Sequence, residues 1–263
     1  PLGHETTTVY DDHNNPLQVT DALNHTTRYA YNAYDRLVAV TNTLGYTATF
    51  AYDTDGQLIL SRDPYGRATA YGYDAYGHLS VITDTLGHAT HMDYDLAGRL
   101  LQVSDARGKS TAFQYDAAGR PLTVTDALNG QTLYAYDAAG RLVRVTDANG
   151  HATEFAYDAA GRLITTTDAL AGLTVRAYDA AGRLIRLTDA EGRHSDYAYD
   201  AAGRLITATN SLGVSTVYGY DAAGQLTRVT DAFGQHTLFA YDAAGRTTAI
   251  TDTLGHATRF GYD

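Results

Sequence analysis

A tyrosine recurs every 21 residues from Tyr10, Tyr31 and Tyr52 through to Tyr241 and Tyr262, with no insertion or deletion between copies. Asp follows it each time except at Asn32, and Gly stands four residues after it from Gly56 to Gly245, with Asn14 and Asp35 in the first two copies. A fixed period of this length is the signature of a repeat array and overrides domain counting by length. The reading is a single array over residues 1–263, about twelve repeats long, forming one quasi-linear body.

Each repeat holds two turn signals, Asp-x-x-Gly after the Tyr (Asp158 to Gly161) and a second ten residues on (Asp147 to Gly150). Asp favours the first position of a type I turn, and Gly supplies the left-handed residue that closes a short hairpin loop. Between the turns lie short segments such as Arg141-Leu142-Val143-Arg144-Val145-Thr146 and Thr153-Glu154-Phe155-Ala156-Tyr157, rich in β-branched and aromatic residues. Alternation puts Thr153, Phe155 and Tyr157 on one face. The aromatic two residues before the repeat Tyr returns as Tyr29, Phe50, Phe113, Tyr134 and Phe239, broken by Thr8, Met92 and Arg176. No helical period competes, so the chain reads as all-β, an antiparallel β-ribbon. Some 24 strands at ~4.8 Å apiece would make an open sheet ~115 Å wide, far beyond the ~10 strands at which sheets curl. The ribbon is therefore expected to spiral, as a β-solenoid-like shell or fibre, with its aromatic face against the next turn or lining a hollow.

The net charge is −11, almost all from Asp at the two turn phases, and Lys109 is the sole lysine. Without a basic stripe, nucleic acid is not an expected partner. The absence of Cys excludes disulfides and thiolate metal sites. No apolar run is long enough to span a bilayer, so this stretch is not expected to insert into a membrane. Pro1-Leu2-Gly3-His4 is in register with Thr85-Leu86-Gly87-His88, and Tyr262-Asp263 stops inside a repeat, so the chain reads as a segment of a longer protein.

The string Tyr178-Asp179-Ala180-Ala181-Gly182-Arg183-Leu184, alternating with Thr188-Asp189-Ala190-Glu191-Gly192, resembles the YD-repeat or Rhs family over the whole chain. The family includes Rhs polymorphic toxins, the C component of insecticidal toxin complexes, and teneurins. The resemblance implies a spiralling ribbon that builds a hollow shell around a toxin domain, or a surface used in adhesion. It also brings to mind the family's self-cleaving Asp-Pro-x-Gly motif. Asp63-Pro64-Tyr65-Gly66 spells it, yet falls in phase with the ordinary turns Asp84–Gly87 and Asp105–Gly108, and reads as a turn with Pro at its second position.

Other candidate chemistry is sparse. Gly108-Lys109-Ser110 resembles the end of a phosphate loop, but the required Gly five residues earlier is Val103. His4, His25, His88, His151 and His256 share one phase after the second turn, as metal ligands would. The same phase takes Tyr46, Arg67 and Val214 elsewhere, which favours a tolerant exposed position. The Asp phases read as turn caps rather than calcium sites. The Arg after the first-turn Gly (Arg99, Arg120, Arg141, Arg162, Arg183, Arg204, Arg246) is placed to stack on aromatics or pair with turn Asp. No catalytic, cofactor-binding or metal residue is assigned, and no cofactor is expected. The expected role is a non-enzymatic structural wall segment of a secreted or cell-surface protein. Its partners would be adjacent repeats of the parent chain and an enclosed toxin domain. The alternative is an adhesion or fibre module that self-associates or binds glycans on its outer face.

Overall fold

The computed structural model describes residues 6–262, and these contain 25 strands and no helix. His4 and the other residues of the opening register lie outside the described part. The chain divides into two units, Pro1–Thr132 and Leu133–Asp263, each taken by itself. In both, strands consecutive in sequence pair antiparallel, as Leu100–Ser104 does with Ser110–Tyr115 in unit 1 and Leu142–Thr146 with Ala152–Tyr157 in unit 2. This is the expected ribbon of consecutive hairpins.

The 21-residue period resolves into two five-residue loops, a five-residue strand and a six-residue strand. In each loop the N–H of the leading Asp or Asn donates to the carbonyl of the fifth residue, and the fourth residue's N–H donates back to the leading residue's carbonyl. Asp158 with Arg162 (3.0 Å) and Gly161 with Asp158 (3.0 Å) show the pattern. That is a type I turn with a left-handed fourth residue, and Gly161 accordingly has φ of 82°. Asn14, Asp35, Asn24, Asn129 and Ala171 hold the same conformation where Gly is missing. A β-bulge recurs where each strand leaves the first loop, so that Tyr157 faces Leu163 while Ala156 already faces Thr165. Asp63-Pro64-Tyr65-Gly66 is one of these turns, with Gly66 N–H on the Asp63 carbonyl at 2.9 Å.

Cross-strand partners confirm the two faces. Tyr134 lies opposite Val145, Val145 opposite Thr153 and Phe155 opposite Thr166, which gathers the aromatic and β-branched side chains on one face. Arg144 against Glu154 and Arg186 against Asp196 belong to the other. Within each unit every strand contacts only its neighbours in sequence, and no described residue is fully buried. Cohesion within a unit therefore comes from contacts between consecutive repeats.

Candidate functional site: the junction between repeats

The recurring residues of the repeat meet at one place, the rim formed by the first loops. Asp137 accepts two backbone N–H groups on Oδ1, from Ala139 and Arg141, each at 2.9 Å. Its Oδ2 takes the Nε of Arg141 at 2.7 Å. The same guanidinium reaches forward one repeat, where Nη1 donates to the Asp158 carbonyl at 3.2 Å and Cζ lies 4.8 Å from the centre of the Tyr157 ring. Tyr157 closes the circuit by donating its hydroxyl to the Leu142 carbonyl at 2.8 Å, fifteen residues back. Tyr, Asp, Arg and the Leu carbonyl are thus each engaged in joining one repeat to the next.

The clamp repeats with little change. Arg162, Arg183 and Arg204 sit 4.9 Å from Tyr178, Tyr199 and Tyr220 and donate to the carbonyls of Asp179, Asp200 and Asp221 at 3.1 Å. Substitutions find equivalents: His78 stacks on Tyr94 with ring centres 4.9 Å apart, and Gln57 Nε2 donates to the Gly77 carbonyl at 2.9 Å. At the first junction the left-handed position carries Asp35, whose carboxylate meets His13 Nδ1 at 2.9 Å and Asn15 Nδ2 at 2.9 Å. The side chain that replaces Gly there becomes the link between repeats.

The electrostatics follow the geometry. The backbone N–H of Arg162, opposed by some desolvation and helped by its guanidinium, holds the Asp158 carboxyl below the usual carboxylate range. Asp179 and Asp200 are lowered by the same groups from Arg183 and Arg204. The hydrogen bond to the Asp35 carboxylate, with its charge, raises the His13 imidazole above its ordinary value.

The second-loop rim is built differently. His25, His88, His151 and His256 each turn Nδ1 to the Oδ2 of their own loop's Asp, at 2.9 to 3.1 Å. The shared phase reflects this local pairing four residues apart, a relation the sequence reading missed. Among the described residues no three His, Asp or Glu side chains converge as a metal-binding group. Thr at the second loop position adds a bridge to the preceding hairpin: Thr43 Oγ1 accepts from Thr26 N–H at 2.6 Å and donates to its carbonyl at 3.0 Å. Gly108-Lys109-Ser110 runs from a hairpin loop into a strand, with Gly108 N–H on the Asp105 carbonyl. His194, Ser195 and Asp196 lie together in sequence, and His194 Nε2 is 3.7 Å from Asp196, which Arg186 grips through both oxygens. Strand alternation puts Ser195 on the opposite face, opposite Leu187, so the three do not converge.

A ribbon of near-identical hairpins, each clamped to the next by its own recurrent residues, defines a structural repeat protein. The chain belongs to the YD-shell family: the teneurin YD-shell model matches residues 129–263, and the RHS repeat model matches 10–48, 52–89 and 94–132. Among solved structures it is similar to the crystal structure of TcdB2-TccC3 without hypervariable C-terminal region. The TM-score there is 0.53 at 19% identity, over 100% of this chain and 17% of that one. It is similar also to TcdB2-TccC3-Cdc42, with a TM-score of 0.50 at 18% identity, over 97% of this chain and 19% of that one. At that identity the likeness establishes the fold, and the chain spans under a fifth of the length of those it matches. No curated protein matches the chain.

Proposed function

We propose that this chain is a non-enzymatic wall segment of a secreted or cell-surface YD-repeat protein, part of a longer array that encloses a toxin domain. The observation that carries this reading is the junction: the residues that recur from repeat to repeat serve the adjacent repeat, and the family model matched by residues 129–263 is that of a shell. The likeness of fold to TcdB2-TccC3 supports it. A second reading, an adhesion or fibre module that binds glycans on its outer surface, draws on the loop-tip tyrosines Tyr34, Tyr65 and Tyr76, which are 73% to 77% exposed. Limited proteolysis of the parent protein tests the first. An enclosed domain stays intact until the array is unfolded; digestion at the rate of the separately produced domain overturns the enclosure.

A further inference from the structure

Arg36 differs from the other first-loop arginines in having no carboxylate at the head of its own loop. Arg99, Arg141, Arg162 and Arg204 each bond the Asp that leads their loop, at 2.6 to 2.7 Å. The loop of Arg36 is led by Asn32, whose Oδ1 takes the backbone N–H groups of Tyr34 and Arg36 at 2.9 and 3.1 Å. That fixes the amide, so Nδ2, a donor, stands where an Asp carries its second acceptor. The neighbouring Asp35 is engaged by His13 and Asn15. Among the described residues the Arg36 guanidinium has no ion pair; Nη1 donates to the Asp53 carbonyl at 3.3 Å, and the group lies over Gly56, where any side chain would clash with it.

The next loop is split the other way. Asp53 leads it, but the fifth residue is Gln57, whose Nε2 turns forward to the Gly77 carbonyl at 2.9 Å. Asp53 Oδ1 accepts the Gln57 N–H at 2.8 Å, and among the described residues no side chain bonds its Oδ2. Asn32, Arg36 and Asp53 line one cleft of unit 1 together with Tyr34, Tyr52 and Thr54. Arg36 Cζ is 5.4 Å from the centre of the Tyr34 ring and 5.9 Å from that of Tyr52. Tyr34 is 77% exposed, and Ala139, Ala160 and Ala181 hold its place in later loops, which therefore lack this aromatic wall.

We propose that this cleft binds a neutral sugar, one pyranose ring of a glycan, with its C–H face along Tyr34 and its hydroxyls between the donors of Asn32 and Arg36 and the acceptor of Asp53. The proposal rests on the second reading above and gives that surface a site. A sugar hydroxyl both donates and accepts, so one ring serves both halves of the split pair, while its C–H groups cover an aromatic face. An acidic sugar would meet the Asp53 carboxylate and a chain of net charge −11. A small zwitterion would match both charges, but exposed ion pairs contribute little and it brings nothing to the tyrosine. The volume of about 270 Å³ is just under the ~300–1,000 Å³ of drug-sized sites, which suits a single ring.

The test is a saturation-transfer NMR titration of the full chain. The probes are methyl β-glucopyranoside, methyl β-galactopyranoside and methyl α-mannopyranoside, with glucuronate and glycine as charged comparisons. At least one neutral glycoside binds with a Kd on the order of millimolar, more tightly than either charged probe. Tyr34→Ala installs the residue of the later loops; Asn32→Asp gives Arg36 a carboxylate and removes the Nδ2 donor. Each weakens binding by about tenfold or more, and neither lowers the thermal midpoint. Leu86→Ser, at an exposed tip of the other rim, leaves binding as it was. The proposal is overturned if no neutral glycoside binds, if either cleft variant binds like the native chain, or if glucuronate or glycine binds more tightly than every neutral sugar. An array of longer glycans separates that failure from failure of the second reading. Glycans held equally by the native chain and both variants leave an adhesion surface without this cleft, whereas an array that captures nothing removes both.

Discussion

Tyr157, in the middle of unit 2, is the sharpest probe of how the repeats hold together. Its side chain is half-buried, so Tyr157→Ala removes roughly 100–150 Å² of covered apolar surface, ~2.5–4 kcal/mol at ~25 cal/mol/Å². It also removes the Arg141 contact at 4.8 Å, ~0.5–1 kcal/mol, and the 2.8 Å bond to the Leu142 carbonyl, ~0.5–1.5 kcal/mol. Freed side-chain entropy and a compact unfolded chain offset part of this. The expected net loss is roughly 2–4 kcal/mol, less than full burial would give. Tyr157→Phe keeps the ring and the Arg141 contact and should cost only ~0.5–1.5 kcal/mol. Tyr262 makes the matching bonds, to Thr247 at 2.8 Å and Arg246 at 4.7 Å, but is 48% exposed and lies past the last described strand. Local fraying should hold the cost of Tyr262→Ala under ~1 kcal/mol. Urea unfolding followed by circular dichroism measures the losses. Amide exchange in Leu142–Thr146 shows whether the damage reaches the preceding hairpin. Equal, near-zero losses for Tyr157→Ala and Tyr262→Ala would refute the clamp.

The loops, the carboxylates and the cations give further tests. Gly161→Val, at φ of 82°, should cost more than ~1 kcal/mol in denaturant unfolding, while Ala160→Val costs little. Ala171→Gly, at φ of 64°, should stabilise by up to ~1 kcal/mol. Because Asp158, Asp179 and Asp200 have lowered carboxyl pKa values in the folded chain, their contribution is present above the unfolded value near 3.9 and is lost as pH falls through the folded values. The thermal midpoint should therefore hold at mildly acidic pH and drop below about pH 4; a flat profile to lower pH would contradict that. His13 works in the other direction, since its raised pKa contributes below about 6.5 and fades as pH rises past the folded value. A chelator should leave the midpoint unchanged, and a large loss would assign the rim carboxylates to calcium.

The period, turn chemistry and alternation made the fold legible, because each is local. Asp-x-x-Gly gives the loop, the Tyr–Phe spacing gives the face, and Gly161 gives its own φ. The partners of Arg141 were legible only as types, aromatic and Asp. Which Tyr it covers depends on the twist between successive hairpins and on the bulge at Tyr157–Leu163, neither of which sequence spacing encodes. The link from Asp35 to His13 spans 22 residues and looked like a defect in the repeat. The His phase was visible, but its cause was not, since the loop brings His88 back over Asp84 only once the type I turn has formed. Turn chemistry placed Leu86 in a loop and Leu142 in a strand, but not how far each is exposed, 79% for Leu86 against an intermediate value for Leu142.

Electron cryomicroscopy of the parent protein that we infer carries this array tests the central claim most directly. The account predicts a closed wall built of these hairpins, with density for a further domain inside it. A straight or open ribbon with an empty surround and all other domains outside would contradict it, and would move the chain from container wall to surface fibre.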